Sequence, residues 1–385
     1  MLSTTDKQVS AMVANVSIDS CEAHTPLSSR TLLLVGYSML LPLGVLLNGV
    51  SLFVFLRWLR PLSVVGIFLC NLALSDLLFS LSLPFRVYYY ANHHWPFGSF
   101  LCRFSGSIFH INMYGSCLFL LCINVDRYLA IVHPLRFRHL RRRKIARLTC
   151  LAVWLLIVSG SVPAALVHSS TNCWDGDSEV PRCFEGLSKW QGRVLPLLLV
   201  AEVLGFLLPL GGVLYGSCHV FWELCKAQEG QQRHKKTIKL LTLNLVIFIF
   251  CFVPYNTVLV AYGLLRAKLV PDVWNAMPVL KKILSVTVLL ASTNCVLDPM
   301  IYYFSTEGFR KTLHKLSRIS KSSNTKGSSG SNSKDKVEPI KEILAGLNTE
   351  FRDNDGENKG LQGASVRVGE VNGKDGKKLL EESEI

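Results

Sequence analysis

The sequence predicts an all-α membrane protein, a seven-transmembrane helix bundle with a short amphipathic eighth helix. Three observations carry that expectation. Seven apolar segments follow one another, half of all residues are hydrophobic while only 18% are charged, and the basic residues collect in alternate connecting loops. A soluble domain needs about a quarter of its residues charged to cover its surface. This chain of 385 residues, with a mean hydropathy of +0.33, has too little charge to wrap a water-soluble core of its size.

The apolar segments lie at about 31–57, 63–90, 99–132, 145–167, 192–224, 234–263 and 280–304. Each is long enough to cross roughly 30 Å of hydrocarbon, and a backbone in lipid must satisfy its own hydrogen bonds, which makes each a helix. Residues 1–30 are polar, lack the apolar stretch of a signal peptide and carry a glycosylation acceptor, Asn15-Val16-Ser17. The first span is therefore expected to double as a signal anchor.

The net charge of +14 raises nucleic-acid binding as a reading, so its distribution matters. Residues 321–385 hold 11 Lys or Arg against 12 Asp or Glu, so the whole excess belongs to residues 1–320. Its densest block contains Arg136, Arg138, Arg141, Arg142, Arg143, Lys144 and Arg147 without one acid, between two apolar runs. Arg57 and Arg60 flank the first loop, and Lys226, Arg233, Lys235, Lys236 and Lys239 surround the loop after the fifth span. Short basic loops on one side read as cytoplasmic, which makes nucleic acid the weaker alternative and puts the N-terminus and Asn15 outside. The expected location is the plasma membrane, with a cytoplasmic C-terminus.

After the seventh span, residues 305–319 place Phe309, Leu313 and Leu316 on one face and basic residues on the other, with Ser305 or Thr306 as the cap. No Cys follows to carry a palmitoyl anchor. Residues 320–385 are rich in Ser, Asn, Gly, Lys and Glu and are expected to be a disordered cytoplasmic tail. Its serines and threonines either recruit a basic partner once phosphorylated or belong to a merely solvated tail.

Ionisable side chains within spans are expensive and face the bundle or a cavity. Asp76 lies in the second span and Asp298 near the inner end of the seventh, with Asn48, Asn112, Ser116 and Asn294 as further mid-span polar groups. Such oxygens suit either a small hard cation such as sodium or a hydrogen-bond network without an ion. Asp126-Arg127-Tyr128 ends the third span, where the arginine is either a partly neutralised switch or an interfacial snorkelling residue. Pro42, Pro84, Pro163, Pro196, Pro209, Pro254 and Pro299 are expected to kink their helices, and Phe252, two residues before Pro254, stands where a ring would report movement.

At the outer side Arg86 lies one turn inward from the loop, so its burial must be compensated by an anion. Arg103, His110, Arg193, Arg266, Lys268, Lys281 and, pointed elsewhere, Lys282 add positive or titratable groups near the same mouth. A phosphate or carboxylate head group fits such cations and a lipid tail fits apolar helix walls. The aromatic residues Tyr88, Tyr89, Tyr90, Trp95 and Phe97 read as interfacial belt and loop packing, or as ligand contacts where they face the bundle. Cys21, Cys102, Cys173 and Cys183 sit in polar stretches on the outer side, where disulfides persist, whereas most other cysteines lie in apolar runs.

Taken in order, Asn48, Asn71-Leu-Ala-Leu-Ser-Asp76, Asp126-Arg-Tyr128, Trp154, Pro209, Cys251-Phe-Val-Pro254 and Asn294-Cys-Val-Leu-Asp-Pro-Met-Ile-Tyr302 resemble the signature regions of rhodopsin-like G protein-coupled receptors. The Cys-Phe-Val-Pro stretch and the Asp298-Pro299 ending are similar to the purinoceptor-like branch. His94-Trp-Pro-Phe97, Asn112-Met-Tyr-Gly-Ser-Cys117, Cys183-Phe-Glu185 and Asn244-Leu-Val-Ile-Phe248 resemble the lysophosphatidic acid receptors within it.

The resemblance implies a receptor for lysophosphatidic acid or a related anionic lysolipid, no enzyme activity and no cofactor beyond a candidate allosteric sodium ion. It gives Arg86 and Lys281 the ligand phosphate, and Asp76, Asn112, Ser116, Asn294 and Asp298 the sodium or water network. Asp126, Arg127, Tyr128, Phe252, Pro254 and Tyr302 become the G-protein switch. It pairs Cys102 with Cys183 and leaves Cys21 with Cys173 as a candidate second bridge. The implied partners are heterotrimeric G proteins acting on Rho, phospholipase C or cyclase, with receptor kinases and arrestin at the tail.

Two departures stand out. Ser217 occupies the position of the fifth-span activation tyrosine, and His234 stands where some relatives carry an acid to clasp Arg127, which predicts a loosely held inactive state. A nucleotide or acidic-peptide receptor would use the same cationic mouth with further polar contacts. A transporter would show paired repeats and broken spans, and the sequence has neither.

Overall fold

The computed structural model describes residues 27–315 apart from 168–170, 176–177, 185–194, 227–230, 273–274, 306–307 and 313, with backbone alone at 163–164, 166–167, 171–180, 231–234 and 305. Asn15, Cys21, Arg193, Leu316 and the tail 320–385 lie outside the described residues, as do the side chains of Cys173 and His234.

Among the described residues, seven helices are long and apolar enough to cross a membrane. They are α1 (Leu27–Arg57), α2 (Val64–Asn92), α3 (Gly98–Ile131), α4 (Arg143–Val167), α5 (Leu195–Lys226), α6 (Lys235–Arg266) and α7 (Ala276–Phe304). Between α4 and α5 a two-stranded antiparallel hairpin pairs β1 (Thr171–Asp175) with β2 (Ser178–Arg182). The helix α3 is the axis of the bundle, with 67% of its apolar span buried, whereas α4 and α5 bury 28% and turn Leu148, Leu151, Leu155, Leu204 and Leu207 outward. An apolar exterior of that kind is stable only against hydrocarbon.

The helix ends extend past the expected limits where polar groups anchor them. At the start of α1, Arg30 Nε and Nη2 donate to the carbonyls of Tyr90 (2.8 Å) and Ala91 (2.7 Å), which fixes this end against the last turn of α2. The α7 helix begins at Ala276, earlier than 280, because the Asp272 carboxylate accepts from the free backbone N–H groups of Ala276 (2.6 Å) and Met277 (3.2 Å). Ser63 caps α2 in the same manner, its hydroxyl accepting from Gly66 N at 3.1 Å.

Side-chain amides tie the helices across the apolar interior, where an unmet polar group is costly. Asn48 Nδ2 donates to the Cys295 carbonyl (2.6 Å), joining α1 to α7. Trp154 Nε1 donates to Asn71 Oδ1 (2.9 Å), joining α4 to α2, and Asn244 Nδ2 donates to the Leu120 carbonyl (3.1 Å), joining α6 to α3. Ser217, where a tyrosine was expected, is buried and accepts from Asn124 Nδ2 at 2.8 Å. Beside it Gly216 lies so close to Asn124 that an added Cβ would collide with Oδ1 of that amide. Gly216→Val should therefore reduce surface abundance severalfold relative to total protein, by separating α5 from α3. Surface immunostaining at the parental level would contradict this close seating.

The prolines act less uniformly than simple kinking predicts. Pro196 falls in the first turn of α5, where no helical hydrogen bond is lost. Ahead of Pro209 and Pro254 the helices widen into π turns, Val203–Leu207 in α5 and Phe248–Phe252 in α6. A missing proline N–H leaves carbonyls in the preceding turn unbonded, and a wider turn accommodates them. The two wide turns face each other through Phe206 and Phe248, whose rings stack with centroids 6.1 Å apart.

The eighth helix is described only in part. Helical backbone continues from α7 through Ser305 and is described again at 308–312 and 314–315, while the Ser305 side chain and Thr306, the expected caps, lie outside the described residues. Phe309 is buried as expected, stacked on Phe55 at 5.3 Å and edge-on to Tyr302 at 6.3 Å. Leu313 and Leu316 lie outside the described residues.

Candidate functional site

The outer site is built around Arg86, on α2 two residues past Pro84, with 5% of its surface exposed. Its Nη2 donates to the Ser105 carbonyl of α3 at 3.1 Å, and its Nε has no hydrogen-bond partner. Three rings surround the guanidinium: Phe184 at 4.7 Å, Phe109 at 5.5 Å and Tyr37 at 5.6 Å from their centroids. Ring faces attract a cation without neutralising it. No described carboxylate forms an ion pair with Arg86, and Tyr37 and Ser105, which give it a ring and a carbonyl, each have a buried hydroxyl without a partner. A buried cation with two unpaired hydroxyls on its neighbouring residues has the donor set of an oxyanion site.

The disulfide between Cys102 and Cys183 holds the lid of this site. It fastens the end of the hairpin to the first turns of α3 with a Cα separation of 5.9 Å, and Phe184 is the next residue, at φ 68°. Tyr89, Tyr90 and Trp95 pack edge-on or stacked against Phe184 at 5.4, 6.4 and 5.5 Å. The aromatic cluster is thus the packing that seats Phe184 over Arg86, with Tyr88 turned more outward than Tyr89 and Tyr90. Cys183→Ser should cost stability of about 2–5 kcal/mol and lower the agonist response per surface receptor. A normal dose–response curve at normal surface abundance would contradict that role.

The other expected cations are spread over the mouth. His110 is half-buried on α3, its Nδ1 3.1 Å from the Gly106 carbonyl and its ring stacked toward Tyr114 at 6.4 Å. Arg103 on α3, Arg266 at the end of α6 and Lys281 on α7 are half-buried, and Lys282 is exposed. The close neighbours of the Arg86 guanidinium are instead the Ser105 carbonyl and the three rings. Residues that the sequence reading passed over complete the wall: Tyr37, Ser105, Phe184, Tyr255 and Glu202. Glu202 had a legible signal, since it is an acid in the outer half of an apolar span.

Midway down, the expected polar network forms as two pairs. Asn112 Nδ2 donates to Asp76 Oδ1 (2.8 Å) and lies 3.3 Å from Ser75 Oγ, while Asn294 Nδ2 donates to Ser116 Oγ (3.0 Å). Tyr302, assigned to the switch, donates its hydroxyl to Asp76 Oδ2 at 3.1 Å and so belongs to this network too. Both oxygens of the buried Asp298 lack hydrogen-bond partners, and its carboxyl interacts electrostatically with that of Asp76. Two buried acids set this close suit either a hard cation or a hydrogen-bond network without one.

At the inner end, Arg127 Nη2 donates to Asp126 Oδ2 at 2.7 Å, and the loop residue Arg141 donates through Nε to Asp126 Oδ1 at 3.1 Å. Asp126 is nearly enclosed, with its side chain 3% exposed, so one carboxylate carries two arginines. Tyr128 packs edge-on to His133 at 5.6 Å, its hydroxyl 3.3 Å from Nε2. Phe252 is fully buried in the α6 wide turn, edge-on to Phe248 at 5.4 Å, with Pro254 in the first turn beyond it.

Seven apolar helices, a buried arginine beneath a disulfide-tethered aromatic residue at one end and an Asp-Arg pair at the other end of the central helix have the architecture of a membrane receptor. The model of the 7 transmembrane receptor (rhodopsin family) matches residues 47–302, and the chain belongs to that family. It is 56% identical over 305 residues to lysophosphatidic acid receptor 5 of Mus musculus, covering 78% of this chain and 82% of that protein. It is 42% identical over 286 residues to lysophosphatidic acid receptor 4 of Homo sapiens, covering 72% and 75%. A more distant similarity, 37% over 299 residues covering 75% and 80%, is to a purinoceptor of Rattus norvegicus, in keeping with the purinoceptor-like branch.

Proposed function

We propose that this receptor recognises lysophosphatidic acid or a close anionic lysolipid and signals through heterotrimeric G proteins. The observation that carries the reading is Arg86, a buried guanidinium with no carboxylate partner among the described residues and two unpaired hydroxyls on its neighbouring residues. A ligand phosphate would supply the missing negative charge and accept from Arg86 Nε, Tyr37 and Ser105, with Lys281 as a second cation at the mouth. The acyl chain would lie along the apolar helix surfaces below. The names of the relatives, lysophosphatidic acid receptors 5 and 4, support the same ligand class.

Ligand binding would favour an arrangement in which the inner part of α6 moves outward from α3 and uncovers Arg127 for the G protein. The basic loop holding Arg141 faces the cytoplasm in this reading, and the N-terminus with Asn15 faces outside. A sodium ion would sit at Asp76 and Asp298 in the inactive arrangement, and receptor kinases and arrestin would act at the tail. The test is Arg86→Ala in a reporter cell challenged with a panel of lysophosphatidic acid, nucleotides and acidic peptides. Unchanged lysophosphatidic acid potency at normal surface abundance, or a response of the parent receptor to nucleotides alone, would overturn the reading.

A further inference from the structure

Across the bundle from Arg86, Glu202 of α5 is 5% exposed and its Oε2 has no hydrogen-bond partner. The other acid of this helix, Glu223, sits in its last turn, at the opposite end. Glu202 is within electrostatic reach of Tyr114 on α3 and Tyr255 on α6. Tyr255 is in turn within reach of Arg86, and one ring joins the two sides: Phe109 packs edge-on to Tyr255 at 5.4 Å and against the Arg86 guanidinium at 5.5 Å. Tyr114 is pressed against the α5 backbone at Gly205, where a Cβ would strike its ring, so it walls the same side below Glu202. This end of the bundle therefore holds two buried polar groups linked through the Phe109 and Tyr255 rings, a cation on α2 and a carboxyl on α5.

A buried carboxyl with an unmet oxygen is costly to hold in an apolar surround and serves best as the partner of a group that arrives with the ligand. Phosphate cannot be that group, because a second anion would be repelled from a carboxylate. A hydroxyl can, by donating to Oε2. We propose that Glu202 takes the free hydroxyl of a lysolipid whose phosphate lies on Arg86, so that the receptor selects hydroxyl-bearing lysolipids over deoxy analogues. This inference rests on the lysolipid reading above and adds its specificity-determining residue. A pocket that required the hydroxyl would discriminate strongly, since the deoxy analogue leaves the carboxyl unpaired.

The experiment compares lysophosphatidic acid with an analogue of the same acyl chain on propanediol phosphate, which lacks the hydroxyl. Both are applied to the parent receptor, Glu202→Gln and Glu202→Leu, normalised to surface abundance. The parent should respond to the hydroxyl compound at a concentration lower by about tenfold or more, the worth of one hydrogen bond to a charged group. Glu202→Leu should erase that preference by weakening lysophosphatidic acid while leaving the analogue at its parental potency. Glu202→Gln, which keeps an acceptor oxygen, should retain most of it. No preference in the parent, or an equal loss for both compounds in Glu202→Leu, overturns the assignment. A parent silent to both lipids overturns the lysolipid reading itself, and the subsite with it.

Discussion

Replacing Arg86 with alanine is expected to raise the lysophosphatidic acid concentration for half-maximal signalling by roughly 10- to 100-fold, the range set by charged hydrogen bonds worth about 1.5–3 kcal/mol. The fold should survive the change. Arg86 holds no described carboxylate that its loss would orphan, and its internal partners are one backbone carbonyl and three ring faces. Removing an uncompensated buried charge also relieves a desolvation cost. The ligand-free Arg86→Ala protein in detergent should therefore melt no earlier than the parent, so potency and stability are expected to part company. Arg86→Lys should lie between the two in potency, because an ammonium keeps the charge but loses the planar fork. An earlier melting temperature with unchanged potency would make Arg86 a structural residue.

The second large effect is expected at the inner end. Asp126→Asn should raise agonist-independent signalling severalfold above the parent, because it weakens the hold on both Arg127 and Arg141. Arg141→Ala should act in the same direction but less, since its side chain is 30% exposed and solvent discounts the pair. The measurement is basal reporter output per surface receptor, against cells carrying empty vector. Parental output in both variants, or a larger effect from Arg141→Ala, would count against the clasp. The same readout bears on the loosely held inactive state that His234 suggested: Arg127 has an intramolecular acid in Asp126, and a basic loop completes the arrangement.

The helices and their order were legible because lipid enforces one backbone solution on any long apolar run. The depth of Asp76, Asn112 and Arg86 was legible for a related reason, since a polar group in a span must face inward. What the sequence did not disclose were contacts between distant segments. Nothing local marks Tyr37 and Phe184 as neighbours of Arg86, because one comes from α1 and the other from a residue that the disulfide carries over the mouth. Tyr302 read as a switch residue, yet its hydroxyl reaches Asp76, a contact 226 residues apart in the chain. Ser217 read as the loss of a tyrosine contact, whereas it replaces that contact with a bond to Asn124. The wide turns ahead of Pro209 and Pro254 escaped for another reason: a proline announces a missing hydrogen bond but not how the preceding turn absorbs it.

The wide turn at Phe248–Phe252 also sets a mechanical ratio. From Phe252 inward to Lys235 the helix forms an arm of about 25 Å at 1.5 Å per residue. A pivot of about 10° at the turn would carry the Lys235 tip through about 4 Å, while the rings at the pivot move by a small fraction of that. Toward the same end, Gly216 seated on Asn124 and the Asn124–Ser217 hydrogen bond hold α5 close against α3. A displacement around Arg86 too slight to disturb its own packing would thus reach the far end of α6 enlarged, with gain determined by where in α6 the turn falls.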